Sequence, residues 1–403
     1  MEQNLQELLS VQKAEKLVLG YACPFGTERI SLPEASGRIL RQTIKAERAQ
    51  PPYDRVMMDG VAYRYVADRR EFLCHGVQRA GKPPKILPDG ASCIEVMTGA
   101  VLPEGADVVV PVERIIKEGK HIRLQEGYYP EKGQFIHVKA ADCKAGSELL
   151  KSGARLNAPA LGVLAGNGYA EVEVSRIPSI ALVSTGDELV DVGAAVKTWQ
   201  IRRSNEYALM GVLAEKGLTK VERFVIRDEL SETIAQLQNI LERHDVIILS
   251  GGVSMGAFDY VPTALAKLRV EKVFHKVAQR PGKPLWFGVG PEGQRVFGLP
   301  GNPVSALSCA ARYILPMLKT ALCYAEVAAY PVEMTESVNL VPEMARFLPV
   351  KISHDQTGKL LAHPRPIATS GDFNFLAETD GIVELPPGVG RFDAGGHALF
   401  YEW

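Results

Sequence analysis

Apolar positions along this chain change their spacing twice. From about residue 1 to 176, short alternating runs such as Phe72 to Arg79 and Asp107 to Val112 are broken by glycine and proline. That texture predicts β-strands joined by turns, Pro88-Asp89-Gly90 among them. Leu5, Leu8, Leu9 and Val11 recur near a helical period and predict a helix that opens the chain. From about 177 to 325, short apolar runs alternate with amphipathic stretches. Ile180 to Ser184, Val221 to Ile226 and Val246 to Ser250 read as strands. Ser204 to Lys216, Ser231 to Arg243 and Asp259 to Leu268 read as helices. The second of these has Ser231 as its cap, Ile234, Leu237, Ile240 and Leu241 on one face, and Arg243 in its last turn. From about 326 to 403 the pattern is strand-like again, ending in Gly381-Ile-Val-Glu-Leu-Pro-Pro and His397-Ala-Leu-Phe-Tyr.

Strand, helix, strand in repetition predicts a mostly parallel sheet with helices on both faces. The fold class is therefore multidomain α/β plus β. A central doubly wound α/β domain spans 177–325, and a small β domain spans 326–403. The N-terminal part is read as two pieces: residues 1–48 with 141–176, and a β-rich insertion over 49–140 that carries Asp59. The length of 403 residues suits such a division at ~150 residues per domain.

Composition narrows the class. Lys and Arg number 46 against 47 Asp and Glu, a net charge of −1, which argues against a strongly basic nucleic-acid binder. Hydrophobic residues at 46% are enough to fill several cores. No run approaches the ~20 apolar residues of a membrane span, and Glu, Gln and Lys come early where a signal peptide would be apolar. Cysteines 23, 74, 93, 143, 309 and 323 form no C-x-x-C pair and read as reduced thiols. A cytoplasmic protein without membrane or nucleic-acid partners is expected.

In an open parallel sheet, ligands gather at the carboxyl ends of the strands. Here those ends repeat one chemistry. Ser184-Thr185-Gly186-Asp187-Glu188 follows one strand, and Arg227-Asp228-Glu229 another. Ser250-Gly251-Gly252-Val253-Ser254-Met255-Gly256, with Asp259 beyond, follows a third. Pro300-Gly301-Asn302 follows a fourth, and Pro303 reads as the first residue of a helix whose positive end faces the same rim. Glycines let a backbone approach a ligand, and their amides can form an anion-binding concavity. Asp187, Glu188, Asp228 and Asp259 bring hard oxygen donors, as Mg²⁺ between carboxylate and phosphate requires. Taken singly, each carboxylate reads equally as a helix cap, Asp187 above all.

Arg280-Pro281-Gly282-Lys283-Pro284, with Lys276 before it, is a stiff basic loop. It reads either as a solvent-exposed turn or as cations held toward an oxyanion. Gly288-Val-Gly-Pro-Glu-Gly293 matches G-x-G-x-x-G, but Pro291 interrupts it and a strand follows, so a hairpin loop is expected in place of a dinucleotide site. Met58-Asp59-Gly60 and Thr98-Gly99-Ala100 fit tight turns and a site equally well.

These blocks fall in an order that resembles the molybdopterin molybdenumtransferase family, which includes the E domain of gephyrin. They are Met58-Asp59-Gly60, Thr98-Gly-Ala with Leu102-Pro-Glu-Gly-Ala-Asp107, Ser184-Thr-Gly-Asp-Glu-Leu189, Ser250 to Gly256 with Asp259, Pro281-Gly-Lys-Pro284 and Leu299-Pro-Gly-Asn-Pro-Val-Ser305. The likeness runs to Ser370-Gly371-Asp372. It implies Mg²⁺-assisted insertion of molybdate into adenylylated molybdopterin with release of AMP. It also implies a middle domain like molybdopterin adenylyltransferase, and elongated homodimers whose sites are shared between subunits. Glu188, Asp228 and Asp259 match the acidic positions at the pyrophosphate and Mg²⁺. Lys276, Arg280 and Lys283 match the basic positions, and Ser370 one near molybdate. Asp59 and Thr98 match residues given by the partner's second domain. Molybdopterin adenylyltransferase and apo-molybdoenzymes are the implied partners.

The chain departs from the family pattern at named places. Arg55-Val56 stand where Asn-Ser is usual, and His137-Val-Lys-Ala-Ala141 replaces an Arg-rich run before Asp142. Arg280 replaces a lysine, and Pro349 or Val350 stands near a usual arginine. These departures leave open a second reading, a divergent paralogue that binds molybdopterin or partner proteins as a scaffold.

Overall fold

The structure is a computed structural model of the whole chain, and it describes residues 8–227, 229–252, 260–324, 329–365 and 374–403. Its centre is a six-stranded sheet ordered Val221–Ile226, Ile180–Thr185, Val246–Ser250, Arg295–Leu299, Trp286–Val289, Glu271–His275. The first four strands are parallel, and the last two are antiparallel additions. Strand Ile180–Thr185 is buried throughout, as a sheet covered on both faces requires. Its side chains alternate: Ile180 and Leu182 join Leu209, Leu213 and Leu318 on one side, while Ala181 and Val183 join Leu237, Ile240 and Leu265 on the other. Helices Asn205–Glu215 and Leu315–Ala321 thus cover one face, and Leu230–Arg243 and Val261–Lys267 the other.

Local chemistry adjusts several expected elements. The first helix among the described residues is Val11–Gly20, capped by the Ser10 side chain, which accepts from Lys13 N; Leu8 and Leu9 precede it, and Leu5 lies outside the described residues. Leu9 bridges to Val277 instead, and its carbonyl accepts from Ala278 N. Val11, Ala14 and Val18 then pack into the central core. Helix Leu230–Arg243 is capped by Glu229, whose carboxylate accepts from the Ser231 and Glu232 amides, so Ser231 lies inside the helix. The 288–293 glycines form the expected hairpin, joining antiparallel strands Trp286–Val289 and Arg295–Leu299.

The N-terminal region holds a second six-stranded sheet, ordered Val108–Pro111, Gly60–Tyr63, Ser92–Val96, Glu71–Gln78, His121–Leu124, Ile115–Glu118. A separate small core of Leu40, Ile44, Leu156 and Leu164 lies beneath the paired strands Thr27–Ser31 and Glu171–Ser175. At the C-terminal end, strands Ala345–His354, Leu360–Pro364, Tyr330–Met334, His397–Glu402 and Gly381–Leu385 pair in that order. Ala345–His354 then pairs with Gly381–Leu385, closing the ring around Val350, Val383 and Phe400. The two-residue strand Gln279–Arg280 adds in parallel beside Ala345 and Arg346. That pairing carries the basic loop to the edge of the C-terminal barrel. Among the described residues, no helix is long and apolar enough to cross a membrane.

Candidate active site

The central sheet reverses its winding direction beside Ile180–Thr185. The chain passes from that strand to Val221–Ile226 on one side and then returns to Val246–Ser250 on the other. Such a switch point opens a crevice at the carboxyl ends of the two diverging strands, here Thr185 and Ser250. Backbone fills its floor. Gly251 and Gly252 have φ of +93° and +65°. A Cβ on Gly251 would lie 2.7 Å from the Thr185 carbonyl, and one on Gly252 2.5 Å from Thr185 Oγ1. Only glycine fits there. Gly301 closes the cradle, since a Cβ on it would meet Gly251 Cα at 3.9 Å, and the Gly251 amide donates to the Leu299 carbonyl. Asn302 then stands at the N-cap position of helix Pro303–Cys309, with Pro303 at its start as expected.

Asn205 binds this floor together, and sequence reasoning passed over it. Its Nδ2 donates to Ser250 Oγ at 2.8 Å and to the Gly301 carbonyl at 2.7 Å. The signal was present in Ser204-Asn205 opening an apolar helix right after a strand, yet that pattern also describes an ordinary cap. Among the described residues, Asn205 Oδ1 and Thr185 Oγ1 are buried without a hydrogen-bond partner. An unsatisfied buried polar atom costs ~1–3 kcal/mol, so two at one crevice point to a ligand. Below them, buried Glu206 accepts from Ser184 Oγ at 3.2 Å and from Arg223 Nη1 at 3.1 Å, which stiffens the strand end.

The acidic positions divide. Glu188 is exposed, and its carboxylate turns back over Gly186, where a Cβ would lie 2.7 Å from it. Its backbone carbonyl accepts from Ile201 N at 2.9 Å, and no cation pairs with its side chain among the described residues. Asp187 is likewise exposed. Asp228, Ser254, Gly256 and Asp259 lie outside the described residues, as does Ser370. Among the described residues no three His, Cys, Asp or Glu side chains gather as a metal cluster. What is described suits Mg²⁺ by donor type only at the solvated Glu188 carboxylate, while the backbone amides of the rim suit a phosphate.

The basic loop is built on a rigid base. Gln279 is fully buried; its Nε2 donates to the Gly282 carbonyl at 3.0 Å, and its Oε1 accepts from Tyr313. Gly282 has a φ of +91°, and a Cβ there would strike Cys309 Sγ at 2.6 Å. Burial pushes the Cys309 thiol up to about 12, so it stays neutral and inert. Arg280 and Lys283 are exposed on this base, and Lys276 donates its amide to the Leu285 carbonyl. Arg280 stands opposite Arg346 across the parallel pairing. Burial, and then the charge of Arg280, lower the basicity of Arg346. Two neighbouring guanidiniums of this kind repel each other, and a negative charge between them would relieve that repulsion. Arg346 was not anticipated, because nothing in sequence tells which strand the loop will pair with.

Asp59 and Thr98 meet, but apart from this rim. Asp59 Oδ1 accepts from Thr98 N at 2.6 Å and from Thr98 Oγ1 at 2.7 Å. Those bonds, the hydroxyl first, hold its carboxyl below the usual range. Gly60 is a strand residue and not a turn glycine: a Cβ on it would lie 1.9 Å from the Val110 carbonyl. No hydrogen bond or ion pair joins Asp59 or Thr98 to the central rim among the described residues. Close in sequence to Asp59, Arg55 Nη2 contacts His137 Nδ1 at 2.9 Å, and His137 Nε2 contacts Asp142 at 2.9 Å. The departures at Arg55 and His137 are thus joined in one bonded run with the retained Asp142.

Comparison with known proteins defines the class. Residues 9–168 match the MoeA N-terminal region (domain I and II), 181–320 a probable molybdopterin binding domain, and 331–403 the MoeA C-terminal region (domain IV). A molybdopterin molybdenumtransferase of Synechocystis sp. is 39% identical over 400 residues, covering 98% of this chain and all of that one. One from Staphylococcus aureus is 30% identical over 401 residues, covering 96% of this chain and 94% of that one. The crystal structure of a molybdopterin biosynthesis MoeA protein from Pyrococcus horikosii superposes with a TM-score of 0.81 at 29% identity, covering 98% of this chain and 99% of that one. The chain belongs to the molybdopterin molybdenumtransferase family, a family of transferases in molybdenum cofactor biosynthesis.

Proposed function

We propose that this chain inserts molybdate into adenylylated molybdopterin in the cytoplasm and releases AMP with the help of Mg²⁺. The carrying observation is the glycine cradle at the sheet's switch point, with two buried polar atoms that have no partner among the described residues. In this reading Ser184, Thr185, Gly186, Asp187, Gly251, Gly252, Ser254, Gly256, Pro300, Gly301 and Asn302 hold the nucleotide-bearing pterin. Glu188, Asp228 and Asp259 supply the carboxylates for the magnesium ion. When bound there, the ion offsets negative charge on the phosphates as AMP departs. Lys276 joins the residues that hold the pterin substrate, while Arg280, Lys283 and Ser370 receive molybdate, with the crowded charge of Arg346 behind them. Asp59 and Thr98 of one subunit complete the site of the other in a homodimer. Molybdopterin adenylyltransferase would supply the substrate, and apo-molybdoenzymes would accept the product.

The direct test is an assay with adenylylated molybdopterin, molybdate and Mg²⁺ that scores AMP release and reconstitution of an apo-molybdoenzyme. Release that requires Mg²⁺ and molybdate supports the reading. Tight pterin binding without AMP release favours the scaffold alternative, whose support is the Arg55–His137–Asp142 run. The shared site has its own test. Asp59→Asn and Asp228→Asn chains are refolded together in equal amounts, which gives about half mixed dimers. Each mixed dimer then holds one intact site, so activity should recover to about a quarter of wild type. Mixed dimers, confirmed by native mass spectrometry, that are no more active than their parents would remove the shared site.

A further inference from the structure

Asn205 does more than hold the floor together. A primary amide has two donors on nitrogen and two acceptor positions on oxygen. Both donors are spent, one on Ser250 Oγ and one on the Gly301 carbonyl. The Gly301 carbonyl can only accept, so the amide cannot be flipped: the nitrogen must face it. The buried atom of Asn205 with no partner among the described residues is therefore its oxygen. An oxygen of this kind cannot serve an ionised phosphate, because both groups only accept. It calls for a donor.

We propose that Asn205 Oδ1 accepts a hydrogen bond from a donor standing beside the phosphate of the bound nucleotide, either a ribose hydroxyl or a water on the magnesium ion. The shared chemistry is an O–H group next to phosphate. A ribose carries its hydroxyls near its own phosphate, and a hydrated Mg²⁺ presents polarised waters at the same distance range. The geometry suits either source. Asn205 bridges the ends of two strands at the switch point, with Gly251 and Thr185 in the same cradle. Thr185 Oγ1, the other unpaired atom, can donate, so it suits the phosphate itself. The two residues thus divide the ligand: Thr185 faces an acceptor and Asn205 a donor. In this role Asn205 sets specificity, because a buried acceptor rejects an analogue that lacks the matching donor.

The inference rests on the nucleotide reading above, and one titration separates the two. AMP, 2′-deoxy-AMP and 3′-deoxy-AMP are titrated calorimetrically into the full-length chain with and without Mg²⁺. The same is done for Asn205→Ala and Asn205→Asp, with circular dichroism to confirm folding. If the donor is a ribose hydroxyl, one deoxy analogue binds wild type about tenfold more weakly than AMP, and Asn205→Ala loses that gap. If the donor is a metal-held water, the deoxy analogues behave as AMP does, and the Mg²⁺-dependent gain in AMP affinity collapses in Asn205→Ala. Asn205→Asp keeps an acceptor oxygen and should retain whichever discrimination wild type shows, even if every probe binds more weakly. The proposal is overturned if Asn205→Ala shifts all probes by one common factor, or by none, with and without Mg²⁺. The residue is then a strut and nothing more. A wild-type chain that binds none of the nucleotides overturns the nucleotide reading itself.

Discussion

The helical run that begins at Pro303 serves two regions with opposite polar chemistry. At its start lies the glycine cradle, where Asn205 Oδ1 and Thr185 Oγ1 are buried with no partner among the described residues. Further along, Arg312 is 2% exposed, and its charge is paired with two carboxylates from distant parts of the chain. Its Nη1 lies 2.7 Å from Glu15 and its Nε 2.6 Å from Glu384, and its guanidinium stacks 4.6 Å from the Tyr401 ring centre. Burial disfavours its charge, but the Glu15 bonds and the field of Glu384 outweigh that and raise its basicity. Glu15 belongs to the first helix and Glu384 to the C-terminal barrel, so Arg312 ties both to the central domain. A buried charge paired with carboxylates of the same chain marks a structural knot. Capacity held in reserve marks a place for something else.

The largest expected effect breaks the knot. Arg312→Met strands two partly buried carboxylates, with side-chain exposures of 31% at Glu15 and 10% at Glu384, and should cost ~3 kcal/mol in denaturant unfolding, the low end for a broken buried pair. Combining it with Glu15→Gln and Glu384→Gln should recover much of that loss, since no unpaired charge remains. A single variant as stable as wild type would show that the knot holds nothing. Next comes the cradle. Gly252→Ala forces a Cβ toward Thr185 Oγ1 at a φ of +65°, a strain of ~1–2 kcal/mol. AMP affinity should fall about tenfold while the fold survives, because the crowded atoms face the crevice. Unfolding that weakens while binding stays unchanged would reverse the contrast between the two regions.

A smaller effect is expected at the anion pair. Molybdate should raise the melting temperature of wild type, because an oxyanion bound beside Arg280 and Arg346 relieves their mutual repulsion. Arg346→Gln should show about half that shift or less, with Lys283→Ala as the companion variant. Equal shifts in all three chains would place molybdate elsewhere.

These regions were not equally legible in sequence. The parallel sheet could be read because Ile180 to Ser184 and Val246 to Ser250 are continuous apolar runs, and only strands covered on both faces need such runs. The cradle glycines were legible for the same reason: they follow those strands directly. Arg312 was invisible, because it sits in an apolar helical stretch and its partners come from the two ends of the chain. Asn205 looked like a helix cap, and the free oxygen emerges only once Ser250 and Gly301 have claimed its nitrogen. Met58-Asp59-Gly60 suggested a hairpin turn, whereas Gly60 is there to let the Val110 carbonyl approach. Period and punctuation can be read along a chain; pairings between distant segments cannot.

The smallest effect concerns Asp59, which stands between the two extremes. Its Oδ1 takes both bonds from Thr98, and Oδ2 has no partner among the described residues. The Thr98 hydroxyl first, then its amide, favours the carboxylate and lowers its proton affinity in the folded state. The sign follows. A carboxyl with a depressed folded pKa contributes stability above its ordinary value of ~3.9, and that stability is lost as pH falls through the folded value. At neutral pH the bonds are intact, so any proposed role for the free oxygen at the partner's site is unaffected by ordinary changes of pH. Because the group is fully solvated, the contribution to global stability should be slight, and the local titration is the better measure. Carbon-detected NMR of the Asp59 carboxyl should show a midpoint below the ordinary one in wild type. Thr98→Val removes the hydroxyl and keeps the amide, so the midpoint should move part of the way back up. A midpoint that does not move would mean the hydroxyl is not what lowers it, and Asp59 would then need another cation or donor near its free oxygen.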